Sequence, residues 1–316
     1  MPVVTATPAD LPAVKAFVHS ATRRQGGAGD EDLAMLVEGG NVLLATTNRD
    51  RPLAPSLPTL QRRGLDALAA FYPEPRPESL PSGEPDRVFL RTAAFRNGIS
   101  PSAALHELLD VWCRLPAQAQ RLLIAYGGEP WYNRSLLAAE CTLAEEVIFL
   151  ALPHLDRHFG SAPHEAPVES AGSTPQGAAF IRPAQAPEID TLAELDAACF
   201  NVLWHMGRAD LRQLLLFGRL SVAVVDGELA GYLALTMRGE VAQIARLAVH
   251  GRWSGHGIGR RLLIEGLRSA VDAGCTSAIL NTQAQNLRAQ GLYRSLGFHP
   301  TGERFEVYTR WSSAEV

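Results

Sequence analysis

The stretch His250-Gly251-Arg252-Trp253-Ser254-Gly255-His256-Gly257-Ile258-Gly259-Arg260-Arg261-Leu262-Leu263 follows directly on an apolar run, Ala242 to Val249, and this junction decides the fold. Glycines alternate with other residues at 255, 257 and 259. Without a Cβ the backbone there can curl so that successive N–H groups point into one concavity. Leu262, Leu263, Leu267 and Val271 then recur at helical spacing, which predicts a strand, a tight turn and a helix. The turn thus lies at the positive end of the helix dipole, where it can cradle an anion such as a pyrophosphate. Two other phosphate loops are excluded: position 260 is Arg where a dinucleotide fingerprint needs Gly, and no Gly-Lys-Ser/Thr is present.

Downstream, after a helix and a strand at Ala278 to Thr282, comes Asn286-Leu287-Arg288-Ala289-Gln290-Gly291-Leu292-Tyr293-Arg294-Ser295-Leu296-Gly297-Phe298. Together the two motifs resemble the GCN5-related N-acetyltransferase (GNAT) superfamily over roughly residues 178–310, most strongly from Ile244 to Phe298. The resemblance implies an acyl-CoA N-acyltransferase fold with acetyl-CoA as co-substrate and direct transfer to a primary amine in a ternary complex. It implies that the backbone of Leu247, Ala248 and Val249 pairs with the pantetheine arm, and that splayed N–H groups of this strand stabilise the oxyanion. The amides of Gly255, His256, Gly257, Ile258, Gly259 and Arg260 would hold the pyrophosphate. Tyr293 is the expected general acid toward the leaving thiolate. Asn286 either hydrogen-bonds the cofactor arm or caps the following helix.

Two positions depart from the family pattern. Ser254 stands where a long Arg or Gln is usual, so Arg252 or Arg260 would have to compensate. Gln243 stands near a common glutamate and cannot accept a proton. A primary amine is almost wholly protonated at neutral pH, so Glu240 is taken as the first candidate base and His250 as the second. Trp204 and His205, in the aromatic run Phe200-Asn201-Val202-Leu203-Trp204-His205-Met206, are the candidate acceptor contacts, with a buried core helix as the alternative.

The rest of the chain fits this frame. Its 316 residues, 47% hydrophobic and 20% charged, suit two globular domains, and no run of eighteen apolar residues is present to span a membrane. A net charge of −4 offers no basic field for nucleic acid, and slightly favours a cationic small-molecule amine or a basic peptide terminus or side chain as acceptor. Lys15 is the single lysine, and the other 28 of the 29 basic residues are arginines, a skew read as genome composition. The first residues have neither a basic n-region nor an apolar h-region, so the cytoplasm is expected. Cys113, Cys141, Cys199 and Cys275 are too scattered for a zinc site or a disulfide framework. His154 and His158, at i and i+4, lack a companion glutamate and read as a surface helix end, so no metal is expected.

The first half carries the same order of segments, with Arg91 and Arg246, and Ile124 and Ile279, at matching places. We therefore expect an α/β (α+β) chain of two tandem copies, each a mixed, mostly antiparallel sheet flanked by helices. The expected division is a degenerate copy at 1–155, a linker at 156–177 and the acetyltransferase copy at 178–316. Gln61 to Asp86, rich in Pro and Glu, reads as an insertion confined to the first copy. There the glycine turn is replaced by Arg96-Asn97-Gly98-Ile99-Ser100-Pro101, whose proline removes an N–H, so this copy is not expected to bind acetyl-CoA. Tyr132 reads as a packing residue. A tandem chain can satisfy internally the interface of single-domain dimers, which leads us to expect a monomer. The rival reading is a catalytically inactive acyl-CoA-binding sensor or scaffold, favoured by Ser254 and Gln243.

Overall fold

A computed structural model describes residues 1–46, 64–74, 84–160 and 179–312. In the first half, β1 (Val3–Thr5), α1 (Leu11–Ser20), β2 (Arg23–Gly26) and α2 (Asp30–Glu38) lead to strands β3 (Val42–Thr46), β4 (Leu65–Pro73) and β5 (Asp86–Phe95). Then follow α3 (Pro101–Arg114), β6 (Arg121–Tyr126), α4 (Pro130–Ala138) and β7 (Thr142–Leu152). After α5 (Leu155–Phe159), the second half begins with β8 (Phe180–Pro183), α6 (Ile189–Cys199) and α7 (Arg208–Phe217). It continues through β9 (Arg219–Val225), β10 (Glu228–Arg238), β11 (Val241–Val249), α8 (Ile258–Asp272), β12 (Ser277–Gln283), α9 (Leu287–Ser295) and β13 (His299–Trp311).

The repeat extends to pairing. Strands β1, β3, β4 and β5 form an antiparallel series, as do β8, β9, β10 and β11. Each series ends in a parallel pair of four residue couples, Asp86↔Arg121 to Phe89↔Ile124 in β5 and β6, and Val241↔Ser277 to Ile244↔Leu280 in β11 and β12. The hairpin between β9 and β10 turns on Asp226 and Gly227, both at positive φ (50° and 86°), as a two-residue type I′ turn requires.

Two compact units result, and they do not follow the contiguous division at 155 and 178 expected from the sequence. One is built from residues 1–46, 64–74, 84–146 and 305–312, the other from 147–160 and 179–304. Two long strands change unit along their length. Residues 147–152 of β7 pair with β12 in the second unit, and residues 307–311 of β13 pair with β6 in the first. A sheet edge takes whichever strand reaches it, and here it is the closing strand of the other half. Of the expected linker, 161–177 lies outside the described residues, while residues 156–159 belong to α5.

The supposed insertion at Gln61–Asp86 is also corrected, because Leu65–Pro73 is β4, a strand between β3 and β5. Its residues 66–71 are buried throughout. A strand covered on both faces shows no polar–apolar alternation for a reader of the sequence to find. Residues 52–57, which by their sequence read as a second strand following residues 41–47 across a short turn, lie outside the described residues.

In the second unit, α6 and α7 cover one face of the sheet through Tyr232, Ala234 and Ala248. Helices α8 and α9 cover the other through Leu233, Leu235 and Ile244. Leu262, Leu263 and Leu267 of α8 are fully buried there, each worth about 1.5–3 kcal/mol of hydrophobic stabilisation.

Candidate active site

The parallel pairing of β11 with β12 stops at Ile244 and Leu280, although the strands continue to Val249 and Gln283. A bulge at Ala245 lies at this point, since Ala234 pairs with Arg246 and Leu235 with Ile244. Bulges bend a strand and increase its local twist. Beyond it the strands part. The edge of residues 246–249 turned away from β10 then has no strand partner among the described residues.

A cavity of ≈ 550 Å³ fills this wedge. Its lining reaches both faces of the sheet: Cys199, Phe200 and Trp204 on the α6 side, and Gly257, Asn286 and Tyr293 on the side of α8 and α9. At one end lies the glycine turn. Gly255 and Gly257 take φ of +89° and +75°, which L side chains rarely adopt. Gly257 is the N-cap of α8 and no side chain caps the helix, so its first-turn amides remain available to an anion.

The acetyltransferase (GNAT) family model matches residues 189–298, which hold the wedge, the turn and α9. The chain carries a GNAT acetyltransferase domain. Among relatives, a putative [ribosomal protein bS18]-alanine N-acetyltransferase of Bacillus subtilis (strain 168) is 28% identical over 133 residues, 42% of this chain and 87% of its own. N-acetyltransferase 8B of Homo sapiens is 39% identical over 70 residues, 22% of this chain and 31% of its own. The crystal structure of a GCN5-related N-acetyltransferase from Sphaerobacter thermophilus aligns with a TM-score of 0.55 over 100% of this chain and 96% of that one, and its 17% identity shows the shared fold.

Within the GNAT domain most of the expected residues meet at the cavity. Leu247, Ala248, Val249, Ser254, Gly255, Gly257, Ile258, Gly259, Arg260, Asn286, Trp204 and Tyr293 all line it. Asn286 caps α9, its Oδ1 accepting from the Ala289 amide at 3.1 Å. Arg260 extends Nη1 to Ser295 Oγ at 2.9 Å. Tyr293 is buried, its ring set edge-on to Phe298, and this burial pushes its phenol up to about 12.

Other expectations are corrected. Glu240 does not reach the cavity: it sits in the turn before β11, and its carboxylate accepts from Thr276 Oγ1 at 3.2 Å. Four extended residues, about 13 Å at ~3.3 Å each, carry the chain from there to the first lining position, Ile244. His205 is buried behind the lining, its Nε2 2.7 Å from the Phe200 carbonyl. The run 200–206 is an irregular turn and not a core helix. Arg252 is turned to Glu228 and lies over the Trp253 ring, and neither it nor His256 lines the cavity. His250 accepts the Arg252 amide on Nδ1 and likewise stays outside.

The sequence reading missed Arg246, Arg288 and Cys199, which line the cavity, and Asp196, which holds Arg246. Asp196 is fully buried on α6 and accepts from Tyr232 Oη at 2.5 Å and from the Met206 amide at 2.7 Å. The signal was present as an arginine inside an apolar strand, since a buried charge needs a partner, but the partner lies fifty residues away. Burial, first among its causes, pushes the Cys199 thiol up to about 11, although the Arg246 charge and a hydrogen bond from the Val249 backbone favour its ionised form.

In the first unit the equivalent wedge is taken. β2 pairs with Thr92–Phe95 of β5, the four residues that β4 pairs on their other edge. Gln25 of β2 lies against Gly128 just after β6, and Gly26 lies so close to the Arg91 carbonyl that a Cβ would stand 1.9 Å from its oxygen. Tyr132 is buried beside Trp131, in the packing role expected for it.

Proposed function

We propose that the GNAT domain of this chain transfers an acetyl group from acetyl-CoA to a primary amine, directly, in a ternary complex in the cytoplasm. The carrying observation is the wedge cavity, which joins a glycine anion cradle on the α8 side to an aromatic pocket on the α6 side. Residues 246–249 offer the free strand edge on which an extended pantetheine arm would lie. The turn amides would hold the pyrophosphate, with Arg260 and Arg288 supplying the positive charge that Ser254 does not. Acetyl-CoA supplies the activated acetyl thioester.

Tyr293, which lines the cavity and whose phenol burial raises to about 12, keeps its proton across the physiological range and would donate it to the departing sulfur. Complete transfer to a thiolate of ordinary pKa ~8.5 is uphill by ~5 kcal/mol, so the proton moves only as the C–S bond breaks. Cys199, held neutral, is a poor nucleophile at pH 7, which supports direct transfer over an acetyl-cysteine intermediate. No Asp, Glu or His lines the cavity among the described residues, so the amine loses its proton to water. The protein is read as a monomer of 34.1 kDa, which a sedimentation mass about twice that value would contradict.

The test is release of free thiol from acetyl-CoA in the presence of an amine panel. Turnover with some amine is expected. Acetyl-CoA binding without turnover of any amine would favour the rival sensor reading. An acetyl adduct on the intact protein after incubation with acetyl-CoA alone would overturn direct transfer.

A further inference from the structure

Resting on that acetyl-transfer reading, we propose that the acceptor amine carries a carboxylate and that Arg246 recognises it. Among the described residues the charged lining of the cavity is three arginines. Arg260 and Arg288 belong to the first turns of α8 and α9, at the cradle end, which leaves Arg246 as the charge on the acceptor side, beside Phe200 and Trp204.

Arg246 is prepared for this work. Its Nε sits 2.8 Å from Asp196 Oδ2, and its Nη2 donates to Asp196 Oδ1 at 3.0 Å and to the Trp204 carbonyl. The guanidinium carbon lies 3.8 Å from the centre of the Phe200 ring. Its hydrogen bonds run through Nη2, while Nε meets Asp196 as an ion pair and makes no hydrogen bond among the described residues. The ion pair is therefore a dipole with its negative end buried against α6 and its positive end at the cavity. A planar guanidinium already fixed by Asp196 and Phe200 binds a carboxylate with little loss of side-chain freedom. A second ammonium on the acceptor would instead meet like charge and no acid. The local lining thus reverses the preference for cationic acceptors suggested by the chain's net charge.

The carboxylate could belong to a free amino acid or to an acidic residue at a peptide N-terminus, and two matched pairs separate these sources. Thiol release from acetyl-CoA is measured for an amino acid against its carboxamide, and for amidated dipeptides beginning with Asp against those beginning with Asn. In at least one pair the carboxylate member is expected to show kcat/KM roughly tenfold or more above its neutral partner. The double variant Asp196→Asn/Arg246→Gln removes both charges together, leaving no lone buried ion, and is expected to bring that ratio toward one. Arg246→Lys is expected to retain part of it. The ratio is internal to each protein and does not depend on the fraction folded. Neutral partners used as well as carboxylates by the wild type, or a preference that survives in the double variant, would overturn the assignment. If no member is turned over, calorimetric binding of the same pairs to the acetyl-CoA-saturated protein replaces the rates, and equal or undetectable binding counts against Arg246. Failure to bind acetyl-CoA at all would instead strike the transfer reading beneath it.

Discussion

On the proposed mechanism, Tyr293 and the amine divide the proton chemistry of this site between them. Tyr293→Phe is expected to lower kcat by roughly 10²-fold while acetyl-CoA affinity, read by calorimetry, stays near wild type. A phenol raised to about 12 is protonated at every pH below that value, so Tyr293 imposes no falling limb on the rate through pH 11. The acceptor amine sets the rising limb, since only its neutral form attacks. Accordingly kcat/KM should climb with pH to the amine's own pKa, with no inflection near ~6.5 that would betray a histidine base. Such an inflection, shared by amines of different pKa, would mean that His250 or His256 reaches the site in the working complex.

At the scale of elements, one piece of geometry is used in two ways. A parallel strand pair opens after four residue couples in each unit. In the second unit the opening holds the cavity, whereas in the first the chain's own β2 lies there as a third strand. Gly26 makes this possible, with φ of +95° and its Cα against the Arg91 carbonyl. Gly26→Val should therefore unseat β2 from β5. Hydrogen exchange would show faster labelling of the Thr92–Phe95 amides that face β2, with acetyl-CoA binding unchanged. Full protection of those amides in the variant would show that β2 is held by something other than this close approach.

For the molecule as a whole, the proposed reading predicts one donor site in a chain built from two copies of the same arrangement. Calorimetric titration is expected to give one acetyl-CoA per chain. Pro101 at the start of α3, Ser100 capping that helix and β2 in the wedge each act against a second site. A stoichiometry of two would show that β2 leaves the wedge and the first unit opens to receive the donor.

How much of this was legible beforehand follows from the range of the interactions. The glycine turn and the Asn286 cap were readable, because a positive φ and a helix cap are demands met by neighbouring residues. The absence of the glycine turn from the first copy was legible on the same ground, from one proline and two missing glycines. What the sequence could not display was decided between segments far apart in the chain. β4 has no alternation because both its faces are covered, and the exchange of β7 and β13 depends on which edges stand open once the sheet has formed. Glu240 looked close to the site along the chain, and an extended strand carries it away. Arg246 looked like an isolated charge in an apolar strand until folding brought Asp196 to it. The sequence by itself determined the fold of the second half and its anion cradle through local backbone chemistry. Only the tertiary structure decided what lies opposite the cradle, since a buried charge acquires its partner, and with it its direction, when distant segments pack together.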